Sequence, residues 1–380
     1  MKRIFVLLAM VLIPVTLMFT GCGQESADVA TLEGSEPLQV ITTIFPQFDF
    51  VRQIAGDRVE LMMLLSPGAE SHGFEPTPRD IIALNSADLL IYVGGHGDTW
   101  VEPILTSLER EDMRTLALLD LVDAVMTEHD HHHEHDHHHG HDHDHHHEHD
   151  HDDHHHEHDH HHHGHDDHRH DHDHHHHEHD HDHHHGHDDH HHDHDHHHGH
   201  HHHEPHYDEH VWTCPRNAIL IVEAIASILS EMDPDNAYYY NENAAAFIVE
   251  LHDLDRAFAE AVANGVRDIV IFGDRFPFRY LIDTHGLTSF AAFDGCSAET
   301  QASPATIASL INKVQEENIP VVFYIEFSNR LIADVIAEAT GARLLEMHSV
   351  HNLSHSDFNA GVTYLDLMRR NVEMLREALS

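Results

Sequence analysis

Positive charge is scarce in this chain of 380 residues: 19 Lys and Arg stand against 68 Asp and Glu, a formal net charge of −49 with histidine counted neutral. A surface of that sign repels phosphate backbones, which argues against nucleic acid as a partner. Cysteine is scarce too, and Cys22, Cys214 and Cys296 are too few to build a disulfide scaffold. The long apolar run Ile4 to Phe19 is shorter than a membrane span requires. Outside residues 128–206 neither H-E-x-x-H nor a paired-acid motif occurs, so a catalytic zinc in a folded domain would lack its positioned base, and the reading is of a protein that is not an enzyme.

Histidine is what the chain has in excess. Of its 57 histidines, 49 fall between Glu128 and Tyr207, set among Asp, Glu, occasional Gly and a single arginine, Arg169. Such a segment has almost nothing apolar to bury against the entropy of ordering, so residues 128–206 are expected to be a disordered insert. Neutral imidazoles at this density coordinate borderline divalent ions, zinc above all, with nickel, copper and cobalt as competitors. With an ordinary imidazole pKa near ~6.5, the tract takes up protons as pH falls, and metal competes with them.

The remaining sequence divides around that tract. Lys2 and Arg3, the apolar run, and T-G-C-G-Q read as an export signal over residues 1–21. Cys22 then resembles a bacterial lipoprotein acylation site opening a polar tether over 22–37, the alternative being an ordinary cleaved signal with an incidental cysteine. If Cys22 is acylated, Cys214 and Cys296 remain, either as a disulfide or as two thiols. Residues 38–127 alternate β-rich runs (V-I-T-T-I-F, V-E-L-M-M-L-L, D-L-L-I-Y-V-G-G) with helical patterns, one of them opened by Thr77-Pro78. Over 207–264, a helix after Pro215 is followed by a long one starting at Asp233-Pro234, with Phe247, Leu251, Leu254 and Phe258 on one face. Residues 265–380 repeat the strand–helix grammar, through R-D-I-V-I-F, P-V-V-F-Y-I-E and A-R-L-L-E-M-H, and close on an amphipathic helix. The expected fold is α/β, with two lobes, each a mostly parallel sheet flanked by helices, joined by the long helix and enclosing a cleft.

Four positions stand at strand ends or in loops that line such a cleft. They are His72 in S-P-G-A-E-S-H-G-F-E-P-T-P, His210 in H-V-W-T-C-P, Asp274 in F-G-D-R-F-P-F, and His348 at the end of L-L-E-M-H. A lone histidine is more often a hydrogen-bonded structural residue than a ligand, but two positions in each half can converge on one ion. Glu75 and Asp208 are candidates to orient a liganding imidazole, with plain surface charge as the simpler reading. His96, Cys214 and Phe45, Phe48 and Phe50 read as a polar loop residue, a buried thiol and core aromatics respectively.

The run P-G-A-E-S-H-G-F-E-P-T-P-R-D-I-I-A-L-N-S-A-D-L-L-I-Y-V-G-G resembles the first metal loop of bacterial solute-binding proteins that feed zinc or manganese to ABC importers. H-V-W-T-C-P resembles their second metal loop, and a His-rich insert just before it is typical of the zinc-uptake branch. The resemblance implies that His72 and His210 are ligands, and that the cargo is Zn(II) passed to a membrane permease by a lipid-anchored extracytoplasmic receptor. It also implies a third ligand, His or Glu, in a loop like H-D-A-F-G-Y-F, but this chain has Gly273 there with Asp274 beside it. The fourth is implied some seven residues after a helix-ending glycine, where His348 follows Gly341. Glu326 and His351 are reserves, and water or a tract histidine are further ways to complete the shell. Three imidazoles with at most one carboxylate suit tetrahedral zinc, whereas manganese favours oxygen. The alternatives are a surface metal buffer without a transporter partner and a manganese-binding member of the same family.

Overall fold

The structure, a computed structural model, describes residues 36–70, 74–108, 110, 112–125, 207–293 and 302–380. Residues up to 127 and from 206 onward form one unit, and the tract, 128–205, is a second unit outside the described residues. Cys22, His72 and Cys296 are also outside the described residues.

The first half runs β1 (Leu38–Thr42), α1 (Phe45–Ala55), β2 (Val59–Met63), α2 (Pro78–Ser86), β3 (Leu89–Tyr92), α3 (Val101–Leu108) and β4 (Arg114–Ala117). Two 3₁₀ turns, Leu118–Leu121 and Val211–Thr213, flank the tract, followed by α4 (Pro215–Met232) and α5 (Ala237–Ala263). The second half is β5 (Ile269–Phe272), α6 (Arg279–His285), β6 (Thr288–Ala291), α7 (Pro304–Glu316), β7 (Val321–Tyr324), α8 (Leu331–Thr340), β8 (Arg343–Glu346), α9 (His355–Asn359) and α10 (Tyr364–Leu379).

Both halves build a four-stranded sheet in the same spatial order, β2-β1-β3-β4 and β6-β5-β7-β8, and every strand pair is parallel. The inner strands are apolar on both faces, as a sheet covered by helices on each side requires: Leu89, Leu90 and Ile91 are all fully buried. In each sheet the order reverses next to the first strand, and the carboxyl ends at such a reversal open the crevice in which α/β proteins bind ligands. The loops carrying His72, Asp274, Glu326 and His348 leave β2, β5, β7 and β8 at those ends.

Local chemistry sets the element ends. Buried Gln47 accepts from Thr43 N at 3.0 Å and Ile44 N at 3.1 Å, tying the start of α1 to the end of β1. Gly56 closes α1 at φ +56, where an added Cβ would meet the Tyr239 hydroxyl at 2.7 Å. Thr77 caps α2 through a reciprocal box with Asp80, and Pro78 follows it as the sequence anticipates. The strut is 27 residues long, about 40 Å at 1.5 Å per residue, and buries Phe247, Leu251, Leu254 and Phe258. Helices α1, α4 and α10 pack against it, so both halves share one hydrophobic core.

The structure differs from the sequence expectation at β8, which ends at Glu346 and not at His348. Asn371 of α10 takes over there, accepting from His348 N at 2.8 Å and donating to His348 O at 2.7 Å. Those two bonds satisfy the backbone groups that a longer strand would have paired in the sheet.

Candidate metal centre

His210 is the best-defined member of the centre. It precedes the 3₁₀ turn Val211–Thr213 that leads into α4, and only 4% of its surface is exposed. Its Nδ1 lies 2.8 Å from Asp208 Oδ1, and its backbone N donates to the same oxygen at 2.9 Å. A carboxylate only accepts, so this contact places the ring proton on Nδ1 and makes Nε2 the nitrogen that bears the lone pair. Burial raises the Asp208 carboxyl, but the charge and hydrogen bonds of His210, helped by Arg279, outweigh it and hold the group below its ordinary value. Asp208 is thus a buried partner of His210 and not the plain surface charge that its position in the sequence suggested.

Tyr280 holds this loop from behind. Its hydroxyl donates to Asp208 O at 2.7 Å and accepts from Val125 N at 3.1 Å, while Asp208 N donates to Val125 O at 2.9 Å. The two strands of chain that enter and leave the tract are therefore stapled together at its base.

His351, which sequence reasoning held only in reserve, is the histidine set against His210. The ring centroids are 5.5 Å apart at 83°, and the Trp212 ring contacts both. With Zn–N near 2.0 Å, a ring centre lies about 3.2 Å from a bound ion, so two imidazoles on one tetrahedral ion have centres about 5 Å apart. The observed separation matches that spacing. The backbone around His351 is pinned to both halves: Phe45 N donates to His351 O at 3.2 Å, and Trp212 Nε1 donates to Ser349 O at 2.9 Å.

The other candidates stand differently. His348 Nδ1 accepts from Val350 N at 3.0 Å, which puts the proton of its neutral ring on Nε2, and the same Nδ1 lies 3.7 Å from Glu326 Oε1. Glu326 in turn accepts from Ser349 N at 2.7 Å and from the Ser349 hydroxyl. Asp274 is 7% exposed, and its two oxygens accept from Arg275 N at 2.8 Å and Ile325 N at 3.3 Å. Asp274, Glu326 and His351 line a common crevice with Glu70, Arg275 and Asn352. At Gly273 an added Cβ would fall 2.5 Å from Ala333 Cα, so α8 fills the space a liganding side chain would need. Among the described residues no three His, Cys, Asp or Glu side chains are gathered closely enough to hold an ion, and His72 is outside them.

Of the remaining sequence expectations, Phe45 and Phe50 are fully buried, His96 is in an exposed loop, and Cys214 is a buried free thiol 3.4 Å from Thr284 Oγ1. Among the described residues no helix is long and apolar enough to cross a membrane.

Residues 40–378 match the family described as ZnuA, zinc-uptake complex component A, periplasmic. The chain is 24% identical over 381 residues to the zinc-binding lipoprotein AdcA of Streptococcus pneumoniae strain R6, covering 99% of this chain but 61% of that protein. It is 25% identical to the high-affinity zinc uptake system protein ZnuA of Bacillus subtilis, covering 96% of this chain and 94% of the relative. The fold matches the crystal structure of the Zn(II)-bound ZnuA-like domain of S. pneumoniae AdcA, with a TM-score of 0.62 and 22% identity over 90% of this chain and 99% of that one. The metal-dependent lipoprotein YcdH of B. subtilis has the same TM-score, 0.62, at 23% identity over 90% of this chain and 99% of that one. Because the match takes in nearly all of the chain outside its first residues, this protein belongs to the periplasmic zinc-uptake component A family.

Proposed function

We propose that the chain is the extracytoplasmic binding component of a zinc ABC importer, which captures Zn(II) between its halves and delivers it to a membrane permease. The observation that carries this reading is the His210–His351 pair, spaced 5.5 Å apart with Asp208 fixing the His210 tautomer. His72, in the first metal loop, supplies the third imidazole. His351 takes the role first given to His348, whose Nδ1 is already used by Val350 N. Asp274 is the carboxylate best placed to complete the shell, since it lines the same crevice as His351, with Glu326 as the alternative.

The chemistry is binding without catalysis. Zinc is cargo, held by neutral imidazoles in a crevice shielded by Trp212, and its release needs only that the halves separate the ligands. The tract, covalently joined to the chain that carries the centre, raises the local concentration of loosely held ions. Lipid attachment through Cys22 keeps the receptor at the membrane that carries the permease.

The test is to load the full chain with zinc, remove loosely held metal with a weak chelator, and count the ions retained. One slowly released ion, lost in His210→Ala and in His351→Ala, is the expected result. Retention that tracks only the tract would make the protein a metal buffer, and an oxygen-rich six-coordinate shell would assign it to manganese.

A further inference from the structure

We propose that Asn352 is a positioning residue that registers the first metal loop against the segment carrying His351. The inference rests on the zinc-receptor reading and identifies what holds the ligands of that centre in register.

Asn352 is 2% exposed, and its side-chain amide is fully engaged. Nδ2 donates to Ser66 O and to Ala69 O, both at 2.8 Å, while Oδ1 accepts from Leu353 N at 2.9 Å. An amide nitrogen has two protons, and here both point at carbonyls of one turn, which Ala69 N closes on Ser66 O at 3.0 Å. Gly68 at the tip of that turn has φ +77 and donates to Leu353 O at 2.8 Å, and a Cβ there would come within 3.3 Å of the His355 ring. Two residues after Gly68, Glu70 pairs with Arg275 Nη1 at 2.6 Å, next in sequence to Asp274.

The stem that runs on to His72 is thus tied at consecutive points to the second half of the chain. Asn352 is the buried tie and Glu70–Arg275 the more exposed one, with Glu70 56% exposed. Asn352 also directly follows His351. One side chain therefore sets the spacing between the loop that leads to His72 and the backbone that aims His351. A bound ion requires ligand positions held to about 0.5 Å, and groups that orient ligands typically affect metal affinity about 10–100-fold.

Asn352→Asp keeps the shape but turns an oxygen toward two carbonyls. In the full chain, freed of loosely held metal by a weak chelator, this change should speed release of the retained zinc about 10–100-fold. The cobalt-loaded variant should also lose intensity in its visible d–d bands as the tetrahedral shell opens to water. A purely structural role for Asn352 leaves that spectrum unchanged, and an unchanged spectrum or release rate overturns the proposal. If Asn352→Asp does not fold, Glu70→Gln decides: faster zinc release supports the register and an unaltered rate overturns it. Should the wild-type chain retain no zinc, the receptor reading itself fails, an outcome separate from either of these.

Discussion

At the scale of single residues, the centre depends on groups that hold an imidazole as much as on the imidazoles themselves. Asp208→Ala removes the acceptor that keeps the His210 proton on Nδ1, and zinc affinity is expected to fall about 10–100-fold in a chelator competition. Gly273→Ala should lower stability by about 1–3 kcal/mol in urea, because α8 leaves the added methyl no space and overpacking is costly. Asp98 gives a pH dependence. Burial pushes its carboxyl up to about 6, with Glu209 adding to the effect and hydrogen bonds from Val93 N and Gly94 N opposing it. Between the ordinary carboxylate value and about 6 the folded chain holds a proton that the unfolded chain has released, so stability falls as pH rises through that window. Asp98→Asn accepts the same two N–H groups and never ionises. It should be more stable than wild type at about pH 7–8 and lose that advantage below about pH 5, as read by denaturation at each pH; an advantage independent of pH would contradict this assignment.

At the scale of elements, capping and periodicity were legible. Thr77 starts its helix as read, Gly341 ends its own, and the stripe from Phe247 to Phe258 is the buried face of α5. The short elements α3, β4, α6 and β6 were not read from the sequence. Strands β4 and β6 are four residues each and are not fully buried, so neither a continuous apolar run nor a clean alternation marks them. The staple at Tyr280 was hidden for a different reason: its partners, Val125 and Asp208, are brought together only by the fold. Tyr280→Phe leaves Val125 N and Asp208 O without that hydroxyl and should cost about 1–3 kcal/mol in chemical denaturation, with weaker zinc retention through a looser His210 loop.

At the scale of the whole molecule, two sheets of identical strand order present their carboxyl ends to the centre, and α5 joins the core beneath them. The chain leaves and re-enters this body at adjacent points, with Asp208 N bonded to Val125 O at 2.9 Å. Removing residues 128–206 and joining the ends with a short Gly/Ser linker should therefore leave the unfolding midpoint within a few degrees of wild type, together with the slowly released zinc. A large drop in the midpoint would show that the tract supports the fold.

The sequence by itself determined the α/β class, the two halves and the long helix. Each of these follows from composition or from a period of apolar residues, which are local properties that a linear reading captures. Tertiary structure decided which histidine stands against His210. His348 and His351 are three residues apart and chemically alike, and only the turn after β8 places one beside Asn371 and Glu326 and the other against Trp212. It also decided that Asp208 is buried, that Gly273 leaves no space for a ligand, and that Asn352 ties two distant loops. These depend on contacts between residues as many as 286 positions apart, as in the bond from Asn352 to Ser66, and no local pattern encodes such a distance.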